Sequence, residues 1–127
     1  MADITIISGG LDTNNLGIRF NAMVAGEDIL ACEAVYLSGA NTVSKASSVN
    51  TIYSGESKFI GLAPKDYKAG EPMTVFGVGS RFKYSVGMNA GDYLFVSDTA
   101  GKLADEGNAA DRPVAIVLNS TDIQIIR

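Results

Sequence analysis

The feature that most constrains this chain is an order of short pieces that occurs twice. The first half reads Ala25-Gly26-Glu27, then Val35-Tyr36-Leu37-Ser38, a turn, and Val43-Ser44-Lys45-Ala46. Phe59-Ile60-Gly61-Leu62-Ala63 and Glu71-Pro72-Met73-Thr74-Val75 follow. The second half reads Ala90-Gly91-Asp92, then Leu94-Phe95-Val96-Ser97, a turn, and Lys102-Leu103-Ala104. Val114-Ala115-Ile116-Val117-Leu118 and Ile123-Gln124-Ile125 follow. Each half has a Gly-acid turn, a strand ending in Ser, a tight hairpin, a short strand, a linker, an aliphatic strand and a closing strand. Two copies are too few for a solenoid. They suit a pseudo-symmetric small barrel or sandwich that buries Phe59–Leu62 and Val114–Leu118 together.

The local chemistry is all-β. Apolar runs are short, rich in Val, Ile, Tyr and Phe, and separated by Gly, Asn, Asp and Ser. Gly is 14 of 127 residues, roughly 11% against a typical ~7%. Strands are expected at Ile4–Ile7, Ile18–Met23, Ala34–Leu37, Thr42–Lys45, Phe59–Leu62, Met73–Gly77, Arg81–Tyr84, Tyr93–Val96, Val114–Leu118 and Ile123–Ile126. Ser38-Gly39-Ala40-Asn41 and Ser97-Asp98-Thr99-Ala100-Gly101 read as hairpin turns, where Gly supplies positive φ. No segment carries apolar residues at helical spacing; short helical turns fit only at Asn50–Ser54 and Asp105–Ala110. The expectation is one all-β domain, residues 18–127, a small barrel with pseudo-repeated hairpins. Residues 1–17 form an extended N-terminal arm, with Gly stretches that resemble joints. Its strand can pair with another chain or complete the chain's own sheet.

Composition then removes chemistry. The chain has no His and a single Cys, Cys32. That excludes Ser-His-Asp and Cys-His catalysis, His-ligated metals and an intrachain disulfide. Lys plus Arg is 10 and Asp plus Glu is 14, a net charge of −4, which disfavours nucleic acid and anionic membranes as partners. No apolar run spans a bilayer, and Asp3 stands where a signal peptide carries Lys or Arg. The expected compartment of synthesis is a cytoplasm.

Motifs fare no better. Gly77-Val78-Gly79-Ser80-Arg81-Phe82 has Phe82 where a dinucleotide loop needs its third Gly, and reads as a turn. Asp12-Thr13-Asn14-Asn15-Leu16-Gly17 puts Leu16 and Met23 at calcium-ligand positions, so the oxygen set fails; Asp98–Lys102 fails too. Glu27 with Asp28, and Asp105 with Glu106, are adjacent acids in polar loops, read as solvated rather than as an acid/base pair. Cys32 reads as a small buried residue. Asn119-Ser120-Thr121 reads as a turn. Arg81, Phe82, Lys83 and Tyr84 alternate like a single-strand-binding stripe, but the net charge favours a two-faced strand with Phe82 and Tyr84 inward. No catalytic, cofactor-binding or metal residue emerges, no small-molecule substrate is implied, and the chain is not expected to be an enzyme. Carboxylate-only hydrolysis is the residual enzymatic alternative.

The runs Gly26-Glu27, Ala34–Ser38, Phe59–Ala63, Ala69-Gly70-Glu71-Pro72-Met73-Thr74-Val75 and Ala90–Lys102 resemble a family of tailed-bacteriophage capsid decoration, or cement, proteins. The resemblance covers roughly residues 22–127 and leaves residues 1–21 outside. It implies a barrel- or tulip-type β fold and homotrimers on the outer capsid surface that stabilise the head against packed DNA. The major capsid protein would be the partner. An N-terminal arm would add a strand to capsid or neighbouring subunits, here through Ile4, Thr5, Ile6 and Ile7. Apolar residues in strand-edge or loop settings, Met73, Phe76, Phe82 and Met88, are the candidate trimer contacts; each can equally serve the core. The alternative is a receptor- or carbohydrate-binding module of a phage spike or tail. It requires an exposed aromatic platform, for which Tyr53, Tyr67 and Tyr93 are the candidates.

Overall fold

The computed structural model describes residues 3–6, 10–12, 17–47, 59–106 and 112–126. Among them the regular structure is entirely β. The strands are β1 (Gly10–Leu11), β2 (Arg19–Ala25), β3 (Ala34–Gly39), β4 (Thr42–Lys45), β5 (Phe59–Leu62) and β6 (Pro72–Phe76). Then come β7 (Arg81–Lys83), β8 (Tyr93–Val96), β9 (Leu103–Ala104), β10 (Ala115–Val117) and β11 (Asp122–Ile125). Nine of the ten expected strands form within two residues of their expected ends. Of the strand expected at Ile4–Ile7, the described residues 4–6 form none: Asp3 makes an isolated bridge to Ala104, and Ile4 adds one backbone bond. Ile7 lies outside the described residues, as do the turn at Asn50–Ser54 and most of Asp105–Ala110.

The repeat is real at the level of topology. Strands β2-β4-β3-β5-β6 close into a barrel. Strands β7-β11-β10-β8-β9 have the matching order, β2-β6-β5-β3-β4, in an open curled sheet that gains β1 at its β7 edge. The registers superimpose. Val35 pairs with Gly61 as Leu94 pairs with Ala115, and Leu37 pairs with Val43 as Val96 pairs with Leu103. Arg19 and Phe20 face Phe76 and Val75, as Arg81 and Phe82 face Gln124 and Ile123. An Arg-Phe pair thus occurs twice, at residues 19–20 and 81–82, the one piece of the repeat that its hairpins do not signal.

Burial alternates along β8, β10 and β11, while β5 and the end of β6 are buried on both faces, between the two cores. Ala25, Ile29, Val35, Val43, Met73 and Val75 fill the barrel. A second core contains Phe82, Leu94, Val117 and Ile123 from the sheet, and Cys32, Ala34, Phe59 and Leu62 from the first unit. Phe59–Leu62 and Val114–Leu118 therefore contribute to one core, as the repeat predicts, although from different sheets. The β8–β9 turn seals the joint. Ala34 N–H donates to the Gly101 carbonyl at 2.8 Å, and Gly101 N–H to the Ala46 carbonyl at 2.8 Å. A side chain at Gly101 would meet the Glu33 carboxylate.

Closure separates the two units. In the barrel, β2 runs seven residues and bends at a bulge between Phe20 and Met23. Its far end pairs in parallel with β4, Val24 with Thr42 and Ala25 with Val43. Bulges sharpen strand bending, which a small barrel needs. The bulge holds Ala22 at φ 62°, a left-handed conformation costing a non-glycine residue roughly 1 kcal/mol. By contrast, β7 stops after three residues and never reaches β9.

Candidate functional site

The N-terminal segment fills that missing closure. Ile4 N–H donates to the Leu103 carbonyl at 2.8 Å, where in the barrel Gly26 N–H donates to the equivalent Val43 carbonyl at 2.7 Å. Across the opening, Gly10 and Leu11 pair with Lys83 and Phe82, and Asp12 N–H donates to the Arg81 carbonyl. Residues 3–4 and 10–12 thus anchor on the two edges that fail to meet. Within the gap, the buried Tyr84 hydroxyl accepts the Leu103 N–H at 3.1 Å. Burial pushes the Tyr84 phenol well above its ordinary range, so it stays protonated. Asp3 accepts a short hydrogen bond from the Ser97 hydroxyl.

Of the arm residues, Ile4 and Ile6 are partly buried against the chain's own core and Thr5 is exposed. The arm's described residues pair in cis, and β1 belongs to the sheet of the β domain. Cys32 ties this segment to both units. Its thiol accepts the Gly10 N–H at 3.2 Å and lies 3.9 Å from the Lys83 carbonyl. Burial raises it to about 11, so at neutral pH it is a packed thiol rather than a nucleophile.

Phe82 is fully buried, and Met73 and Phe76 are 4% and 8% exposed. As trimer contacts these three have almost no surface to offer: strand alternation spends them on the chain's own core. Met88 is half-buried and packs against that core. The exposed large apolar side chains are others. Ile18 N–H donates to the Val78 carbonyl, and Gly79 N–H to the Ile125 carbonyl beside Ile126. Ile18, Val78 and Ile126 are all solvent-exposed where the units join. Sequence reasoning missed them, although an Ile or Val flanked by turn residues was the available signal.

The first acidic pair fastens loops. Glu27 accepts the Lys45 N–H at 3.0 Å, and Asp28 accepts the Ala69 N–H at 2.9 Å. Asp105 and Glu106 are exposed. Among the described residues no cluster of three His, Cys, Asp or Glu can hold a metal. Phe82 and Tyr84 point inward while Lys83 is exposed, the two-faced strand expected. Of the aromatic platform candidates, Tyr93 is half-exposed, Tyr67 is buried and Tyr53 lies outside the described residues.

One groove carries a distinct electrostatic character. It has a volume of about 550 Å³ and runs between Leu11 of β1 and the outer face of β2 and β6, with Arg19, Lys65, Tyr67, Thr74 and Phe76 in its lining. A smaller extension continues past the bulge at Asn21 and Ala22. Lys65 sits 5.3 Å from the Tyr67 ring centre, and the Tyr67 hydroxyl accepts the Thr74 N–H at 3.4 Å. Among the described residues of its lining, the ionic ones are both cations. A second cavity, of about 350 Å³, is the reverse: among its described lining residues are Asp3, Asp92 and Asp105 and no cation.

No protein-family model matches the chain, and no curated protein matches it.

Proposed function

We propose that this chain is a non-enzymatic structural protein of a tailed-phage virion. In this reading it binds the outer capsid surface as a homotrimer and stabilises the head against the pressure of packed DNA. The observation that supports it best is the exposure of Ile18, Val78 and Ile126 on neighbouring backbone segments, beside a core to which both units contribute. Apolar side chains gathered at one place, rather than scattered singly, mark contact surfaces. A packed body carrying such a surface suits a protein that works by adhesion. Repetition over many copies, with trimeric avidity, lets a modest contact hold a shell. The arm's share of that contact would come from its exposed positions, Thr5 and the outer edge of β1.

Light scattering and cosedimentation test this reading together. The full-length chain should show three times its 13.3 kDa mass and should sediment with empty heads assembled from the capsid protein of its own virus. Replacing Ile18 and Val78 by Ser should weaken one or both without unfolding the protein, because both side chains already face water. A monomer that ignores empty heads overturns the proposal. Glycan binding centred on Tyr93 would then favour the receptor-binding alternative.

A further inference from the structure

The internal repeat permits a comparison that neither unit offers alone. In the second unit Arg81 is neutralised within the chain. Its Nε lies 2.8 Å from Asp122 Oδ2 and 4.0 Å from Asp12. Arg19 occupies the equivalent place in the barrel, since each arginine precedes the phenylalanine that pairs with the closing strand. At the position equivalent to Asp122 the barrel has Thr74, with no carboxylate. Arg19 makes no ion pair among the described residues, and neither does Lys65. Both line the 550 Å³ groove, whose lining holds no acid among the described residues. In a chain with 14 acids and 10 bases, that is a cradle awaiting a negative charge from outside.

The groove also offers backbone. Asp12 bonds to Arg81 across the β1–β7 ladder, so antiparallel alternation turns the Leu11 N–H and C=O away from β7. Leu11 lines the groove, and no described residue takes those groups. The strained bulge at Ala22 flanks the same surface, and bulges with unfavourable φ gather beside functional sites. Tyr67 and Phe76 are each under a tenth exposed, so neither presents a free ring face for stacking a sugar. An extended peptide fits better than a glycan: it can pair with the Leu11 edge while its side chains reach the groove.

We propose that this groove binds an extended acidic peptide segment, whose carboxylate takes the place beside Arg19 that Asp122 takes beside Arg81. Lys65 receives a second carboxylate, and the Leu11 backbone supplies the strand pairing. This site stands independently of whether the chain decorates a capsid.

The test uses the full chain and two blocked pentapeptides of alternating residues, Val with Glu and Val with Lys, followed by amide NMR. The acidic peptide should shift the amides of Leu11, Arg19 and Thr74, and the basic one should not. Arg19→Ala should weaken binding about tenfold, the loss of one charge-assisted hydrogen bond. Thr74→Asp is the sharper variant. It supplies the absent acid in cis, should leave the fold intact, and should reduce binding at least as much. Overturning results are no shift at millimolar acidic peptide, equal response to both peptides, or undiminished binding by Thr74→Asp. Shifts of the same amides by sialyllactose but not by the peptide would replace the peptide with an acidic glycan, and so also overturn it.

Discussion

The barrel and the open sheet run the same strand order in the same register and still close differently. The barrel spends seven residues on β2, accepts a strained bulge, and pairs β2 with β4. The sheet spends three on β7, leaves the ladder at Tyr84, and borrows residues 3–4 and 10–12 from the N-terminus. A single backbone acceptor shows the substitution: the Val43 carbonyl takes Gly26 from its own unit, while Leu103 takes Ile4. Closure is therefore a property of how far the first strand reaches. A short first strand makes the unit depend on a segment that precedes it.

Cutting that segment should have the largest effect. A chain lacking residues 1–12 loses the partial burial of Ile4, Ile6 and Leu11 and both edge contacts. The expected loss is about 4 kcal/mol, at roughly 1–1.5 kcal/mol per half-buried aliphatic side chain plus unpaired backbone. Hydrogen exchange should lose protection at Lys83, which loses its ladder partner Gly10, and keep it at Val43 and Val75. Cys32, buried with its thiol against Gly10, should begin to react with a thiol reagent. Equal loss of protection in both units would mean that they unfold as one, and that the arm does not serve the open sheet alone.

The barrel has its own weak point. Gly61 has φ 154°, and a Cβ there would lie 2.2 Å from the Phe76 carbonyl oxygen. The obstacle is backbone, which cannot rotate away. Gly61→Ala should cost at least about 3 kcal/mol in urea unfolding. The equivalent position in the open sheet already holds Ala115, fully buried, and Ala115→Gly should cost only about 1 kcal/mol. Near-equal costs would show that closing the barrel imposes no special approach of β5 to β6.

What the sequence made legible divides along the same line. Both hairpins and both aliphatic strands could be read because turn residues and alternation act within about ten positions. The closures could not. Parallel pairing of Val24 with Thr42 has no turn to announce it, and Asp3 meets Ala104 across nearly the whole chain. The arm's strand was therefore open to pairing with another chain as readily as with its own sheet. Met73, Phe76 and Phe82 looked like contact residues because their strands are short and flanked by turns, but the alternation of β6 and β7 turns them into the cores. Arg19 looked like one more dispersed cation. Its isolation becomes visible only when register sets Thr74 against Asp122.

Tyr84 gives the next smaller effect. Tyr84→Phe keeps the packed ring and removes the acceptor of the Leu103 N–H. An unsatisfied buried donor costs about 2 kcal/mol. Proton exchange at Leu103 should rise, because no strand neighbour stands ready to replace the hydroxyl. Val43, in the equivalent place within the barrel ladder, should be unaffected.

The smallest effect concerns the charges that distinguish the units. Burial pushes the Asp122 carboxyl up, but hydrogen bonds from Thr121 and Arg81, with the charges of Arg81 and Lys83, outweigh it and hold the group below its ordinary value. A depressed folded value means that the contribution is present above the unfolded value of about 3.9 and disappears as pH falls through the folded one. Asp122→Asn should therefore cost about 1 kcal/mol at pH 7, and its stability should converge with that of the parent as the solution is acidified below about pH 3.9. Thr74→Asp builds the matching pair with Arg19 in the barrel. Its side chain is more open to water, so the gain should be smaller, about 0.5 kcal/mol, and should fade over a similar acid range. Stabilisation by Thr74→Asp that persists at pH 2 would mean that Arg19 is not the partner, and the equivalence of the two arginines would have to be abandoned.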